Sequence, residues 1–160
     1  MKAIRFAQHG SADALALCDV AVPEPEADEM LVRIEAAGIS YGDILRRRGG
    51  HYPVPTPLPF IPGEAVAGVV EAVGAGVDRQ WIGRRVYGRV RSGGYAEYGV
   101  GPAQQFLALP QGVGAVAAVA AMSDGVTAAL ILKWVGRLVA GESVFVPAAA
   151  GGLGNVAVQL

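Results

Sequence analysis

The sequence predicts an α+β chain: a β-rich unit of barrel or sandwich type, then helices, then one strand–turn–helix step. Three observations carry this expectation. From the N-terminus to Pro110, short apolar runs alternate with Gly, Pro and Asp turn residues. After Pro110 the text becomes alanine-rich and helix-favouring. Finally, "VFVPAAAGGLGNVAVQL" (144–160) joins a β-branched run, a glycine-rich turn and the opening of a helix.

In chain order, "KAIRFA" (2–7) is a short extended run. "VPEPEADE" is a loop, because Pro23 and Pro25 remove donors and fix the backbone. In "MLVRIEAAGIS" (30–40), Met30, Val32 and Ile34 point one way and Arg33 and Glu35 the other, as in a half-buried strand. A short helix is expected over Tyr41–Arg48, with Arg46, Arg47 and Arg48 forming a solvated end whose cations oppose the helix dipole. Five prolines between Pro53 and Pro62 require an extended segment. Val54, Leu58, Phe60 and Ile61 give that segment something to pack, which argues against disorder. Strands follow in "EAVAGVVEAVGAGV" (64–77), "RRVYGRV" (84–90) and, after a Gly-Gly turn, "GGYAEYGVG" (93–101).

Beyond Pro110, "GAVAAVAAM" and "DGVTAALILKWVGRL" predict two helices, with Asp124 as N-cap of the second and Gly141 as its stop. Val126, Leu130 and Trp134 share an i, i+4, i+8 face, with Lys133 and Arg137 off it. "SVFVP" is the next strand. The division into domains is placed at 1–122 and 123–160.

Composition narrows the function. Apolar residues make up 52% of the 160, enough for a core, and 13 basic against 14 acidic residues leave a net charge of −1. No charge block points to nucleic acid or to anionic lipid. A single cysteine, Cys18, excludes an internal disulfide and a multi-cysteine zinc site, and reads as a small half-buried hydrophobe. The N-terminus lacks the apolar run of a signal peptide. The most apolar stretch, 113–132, is mostly alanine and is broken by Ser123-Asp124-Gly125, unlike a membrane span of about 20 residues. A soluble cytoplasmic protein is expected.

The window Ala149-Ala150-Gly151-Gly152-Leu153-Gly154 matches G-x-G-x-x-G with alanine in first place. A tight turn, backbone bare enough for a pyrophosphate and a helix N-terminus with free N–H groups together make a dinucleotide-binding turn. The other reading is an ordinary tight strand-to-helix turn. Six residues follow Gly154, too few for the ribose-binding acid expected about 20 positions later or for a second parallel strand.

Taken in order, "VPEPEADEMLVRIEAAGISYGD", "YPVPTPLPFIPGEAVAGVVEAVGAGV", "GGYAEY" and "AAAGGLG…AVQL" resemble the medium-chain dehydrogenase/reductase superfamily. Within it they resemble the zinc-independent quinone oxidoreductases related to zeta-crystallin. The resemblance implies a GroES-like β-barrel followed by the truncated start of a Rossmann domain. Zinc alcohol dehydrogenases place a cysteine where this chain has Ser40, and Gly-His-Glu where it has Gly63-Glu64-Ala65. The four-cysteine structural loop is also missing, and His9 and His51 fall elsewhere, as surface loop residues. No zinc is expected.

The resemblance further implies hydride transfer from NADPH to a quinone or activated enone. Ser40, often asparagine in the family, would line the nicotinamide pocket. Tyr52 would face the substrate cleft or pack in the core, and Thr127 would stand near the nicotinamide or serve the helix. Ala150, Gly151, Gly152, Leu153 and Gly154 would lie under the pyrophosphate. Asp43 fits the family pattern but reads from its position as an N-cap, and Arg84, where the family usually has Asp, as a surface contact. The competing expectation is a catalytically incompetent GroES-like module or fragment. It would act as a homodimer, or bind a partner through the exposed "SVFV" edge.

Overall fold

The computed structural model describes residues 1–50, 52–91 and 93–160, so the expectation for His51 falls outside the described residues. Two compact units are present, Met1–Val119 and Ala120–Leu160.

The first unit is built on antiparallel strands. β1 (Lys2–Arg5) pairs with β2 (Ala16–Asp19). A five-stranded sheet contains β3 (Glu29–Ala37), β4 (Ala65–Val73), β5 (Arg85–Arg89), β6 (Tyr98–Pro102) and β7 (Phe106–Ala108), in the order β6-β3-β4-β5-β7. Isolated bridges Ala3–Ala96 and Phe6–Phe60 tie the N-terminal segment to the rest. The alternation in β3 holds: Met30 and Val32 are buried, while Arg33 and Glu35 are exposed. Leu31 is buried as well, so the start of β3 is covered on both faces. Met30, Val32, Val66, Val70, Val86, Val90 and Phe106 form the main core. On the other face of β4, Ala67 meets Ala118 and Val119 from the start of α2 (Ala115–Ala129).

Helix α1 occupies Tyr41–Arg48, with Gly49 in the left-handed conformation as its C-cap. The expectation of a solvated arginine end needs correction, because Arg46 and Arg47 are buried and only Arg48 is exposed. Arg47 Nη1 donates to the Gly10 carbonyl at 2.6 Å, and His9 Nδ1 lies 2.9 Å from the Arg46 carbonyl. The last turn is therefore covered by the 9–10 loop rather than by water. In the proline segment, Phe60 exchanges two backbone hydrogen bonds with Phe6 and is buried, whereas Val54 and Leu58 are exposed. Past the Gly93-Gly94 turn, regular pairing starts only at Tyr98.

The second unit departs further from expectation. α2 keeps helical hydrogen bonding through Asp124 and continues as a π-helical segment, Leu130–Val135, but the run bends by 42° between Ala115–Met122 and Asp124–Val135. Asp124 is therefore mid-helix and caps nothing. The break expected at 123–125 therefore appears as a bend in one helical run rather than as two separately capped helices: a glycine inside a helix costs only about 1 kcal/mol relative to alanine. The Val126, Leu130, Trp134 face is exposed, Trp134 at 78%. The wider π turn shifts the phase that an i+4 stripe needs, and Ala128 is the side chain α2 buries here. The helical run stops at Gly136, before Gly141. Residues 143–147 form no strand. A strand exists by pairing, and among the described residues none pairs with this segment, leaving Phe145 89% exposed. Helix α3 (Gly152–Gln159) follows the glycine turn as expected. Among the described residues no single helix is long and apolar enough to cross a membrane.

Candidate functional site

Ser40 ends β3's approach to α1 in an extended conformation and caps the helix. Its Oγ accepts from the Asp43 N–H at 3.3 Å and donates to Asp43 Oδ2 at 2.8 Å; the Ser40 N–H also donates to Oδ2 at 2.8 Å. This is a capping box with aspartate at N3. The N-cap assigned to Asp43 thus belongs to Ser40, because the residue entering the helix in extended geometry is the one able to reach the free N–H groups. Asp43 does more than close the box. Its Oδ1 accepts from the Gly63 N–H at 2.9 Å and its Oδ2 from the Tyr95 hydroxyl at 3.3 Å. Burial first, then the neighbouring Asp43 carboxylate, pushes the Tyr95 phenol well above its ordinary range, so it remains a donor.

Tyr52 lies along α1. A Cβ on Gly42 would stand 3.2 Å from the Tyr52 hydroxyl oxygen and 3.4 Å from Ser40 Oγ. Gly42 is therefore the small residue that lets both hydroxyls approach the first turn. One turn on, the Arg46 guanidinium lies 4.4 Å from the Tyr52 ring centroid and 3.3 Å from Glu64 Oε1. The structure thus brings Ser40 and Tyr52 together. Ser40's hydroxyl proton is committed to Asp43, which leaves it a lone pair to offer.

The remaining predicted residues belong to the second unit. Thr127 is exposed on α2. Ala150 precedes the turn, Gly151 is the N-cap of α3 with extended geometry, and Gly152, Leu153 and Gly154 form its first turn. Gly154 is buried, and a Cβ there would overlap the Ala148 carbonyl oxygen, so the turn admits only glycine. An apolar groove of about 460 Å³ runs past this turn, lined by Leu132, Phe145, Pro147, Gly152 and Leu153 among others. The Asp124 carboxylate stands against Gly152, where a Cβ would meet it. Bare backbone at a helix N-terminus fits a diphosphate, while the carboxylate beside it opposes one.

Sequence reading missed Arg46, Tyr95 and Asp124. The i, i+4 spacing of Gly42 and Arg46 was a usable signal for the first. Nothing local marks the other two, which reach Asp43 and Gly152 respectively by tertiary contact within their own units. Arg84 is exposed over Trp81, a surface contact as expected. Cys18 is half-buried, its Sγ 3.5 Å from the Ala3 carbonyl. Among the described residues, no group of three or more His, Cys, Asp or Glu side chains is placed to hold a metal.

An antiparallel β unit with this capped helix, followed by helices and a glycine turn, defines a GroES-like domain leading into a Rossmann-type segment. Residues 26–111 match the alcohol dehydrogenase GroES-like domain. The chain belongs to this family, within the medium-chain dehydrogenase/reductase superfamily, and the relatives it matches are quinone oxidoreductases and VAT-1 homologs. It is 36% identical over 162 residues to the quinone oxidoreductase of Sus scrofa, covering 100% of this chain and 49% of that protein. It is 39% identical to the human synaptic vesicle membrane protein VAT-1 homolog, over 88% of this chain and 35% of that protein. The quinone oxidoreductase from Thermus thermophilus, solved alone and with NADPH, superposes with a TM-score of 0.83 at 40% identity, covering 99% of this chain and 49% of the other. The chain spans half or less of the length of these relatives.

Proposed function

We propose that this chain supplies the acceptor wall and the pyrophosphate turn of an NADPH-dependent oxidoreductase that reduces a quinone or an activated enone without zinc. The observation that carries this reading is the glycine turn at the start of α3, retained in a chain that matches quinone oxidoreductases along nearly all its length. NADPH, when bound, supplies the hydride. The backbone around Ala150, Gly151, Gly152, Leu153 and Gly154 cradles the pyrophosphate, with free N–H groups from the first turn of α3; the Gly151 N–H itself is spent inside the turn, on the Ala148 carbonyl at 2.9 Å. Ser40, its proton engaged by Asp43, accepts a hydrogen bond from the nicotinamide amide. Tyr52 donates to the acceptor's carbonyl oxygen, and Thr127 lines the nicotinamide side. No nucleophile is required; alignment and carbonyl polarisation are the protein's contribution. We place the activity in the cytoplasm.

Calorimetric titration of the folded chain with NADPH, with NADH as control, tests this. Micromolar binding of NADPH supports the reading. No binding up to millimolar cofactor overturns it for this chain. A second reading has its own support in the exposed Phe145 and the unpaired 143–147 segment: association with a second copy or a partner through that edge. Light scattering across a concentration series would show a dimer on that reading and a monomer otherwise.

A further inference from the structure

Gly42 and Arg46 are one turn apart on α1 and share a face. Tyr52 lies lengthwise on that face, its hydroxyl end over Gly42 and its ring under the Arg46 guanidinium. Arg46 is held from three sides: by the Tyr52 ring, by the Phe60 ring at 5.1 Å, and by Glu64. Phe60 is itself fixed, buried and packed on Phe6 with ring centroids 5.6 Å apart. Arg46 is only 7% exposed, and its Nε is buried with no hydrogen-bond partner. An arginine that merely complemented the helix C-terminus would extend into water, as Arg48 does, with all five donors solvated. Arg46 instead forgoes a hydrogen bond to stay over two rings, where a desolvated cation–π contact is strongest.

We propose that Arg46 is a positioning residue: its guanidinium, tied to Glu64 and seated on Phe60, fixes the Tyr52 ring so that its hydroxyl stands over Gly42 beside Ser40. The functional consequence rests on the reading of Ser40 and Tyr52 as the acceptor wall; the placement of the ring does not. Without the cation, the Tyr52 ring loses the contact that seats it along α1, and its two side-chain torsions are freer to carry the hydroxyl away from Ser40. Glu64 acts one step further back, by fixing the guanidinium.

Fluorine NMR of the chain labelled with 3-fluorotyrosine tests this directly. The sequence has five tyrosines, and Tyr52→Phe assigns the Tyr52 signal. Arg46→Met, similar in length but uncharged, is expected to move and broaden that signal while the Tyr87 and Tyr98 signals stay in place. Arg46→Lys should restore part of the shift, and Glu64→Gln should move the signal in the same direction by less. Duroquinone added to each variant supplies the functional arm, with an expected loss of at least threefold in affinity for Arg46→Met. An unmoved Tyr52 signal in folded Arg46→Met overturns the proposal; should that variant not fold, an unmoved signal in both Arg46→Lys and Glu64→Gln overturns it. A Tyr52 signal that responds to Arg46, in a chain whose spectrum duroquinone never perturbs, leaves the positioning role standing and removes the acceptor-wall reading.

Discussion

Asp43 is one carboxylate shared by three parts of the chain: the Ser40 cap, the Gly63 backbone and the Tyr95 hydroxyl. Each bond brings a different segment to the start of α1, so losing the carboxylate loosens the wall on which Ser40 and Tyr52 sit. Asp43→Ala removes the reciprocal cap and strands the buried Gly63 N–H. A destabilisation of about 2–3 kcal/mol in urea is expected, against about 1 kcal/mol for loss of a simple cap. Tyr95 gives the same cluster a pH signature. Its folded phenol is raised, by burial first and by Asp43 second, so its contribution is complete below the unfolded value. Above about pH 10 the unfolded phenol ionises while the folded one resists, and stability falls as pH rises. Urea midpoints measured from pH 8 to pH 11 should therefore decline less steeply for Tyr95→Phe than for the parent chain. Parallel declines would remove the role given to Asp43 and burial.

Among the elements, α3 carries the clearest expectation. Asp124 brings a negative charge to Gly152, at the positive end of that helix, where the proposed pyrophosphate would bind. Asp124→Asn should tighten NADPH binding by about 0.3–1 kcal/mol, roughly two- to fivefold, with the larger gain at low salt. Unchanged affinity across salt concentrations would separate the carboxylate from the phosphate site. How well each element could be read from sequence follows from where its determinants lie. The span of α1 was legible because a Ser-x-x-Asp start and a following glycine are local signals. Strand β3 was legible because its burial alternates along the chain, at least after Leu31. The 143–147 segment has strand-like residues, yet strand formation requires a neighbour that no run of residues can announce. The arginine run misled for a related reason: its charge is local, while the rings, Glu64 and the 9–10 loop that bury it arrive from elsewhere. Ser40 and Tyr52 were found through family resemblance, whereas the glycine between them was visible only in three dimensions.

For the molecule as a whole, the apolar burial is unevenly divided. Both core clusters and the five-stranded sheet lie within Met1–Val119. In Ala120–Leu160, by contrast, Trp134, Val135, Val139 and Phe145 are all largely exposed, and Ala128 is the buried apolar side chain among the described residues. A segment this short needs a dense core, a metal, disulfides or a partner to hold its own fold. Stability should accordingly reside in the first unit. A piece comprising residues 1–122, cut to retain Ala118 and Val119 against Ala67, is expected to unfold cooperatively with a urea midpoint close to that of the whole chain. A 123–160 peptide should show little helix by circular dichroism on its own, since isolated helices shorter than about 12–15 residues are marginal in water. If residues 1–122 instead unfold at much lower urea, the second unit must be stabilising the barrel. The two would then have to be treated as one folding unit in any account of the cofactor site. If the piece holds its midpoint, ordering of the glycine turn becomes separable from folding of the unit that carries Ser40 and Tyr52. On the proposed reading, cofactor affinity would then carry the cost of ordering residues 123–160, and anything that covers their exposed apolar side chains would strengthen the proposed NADPH binding without touching the first unit.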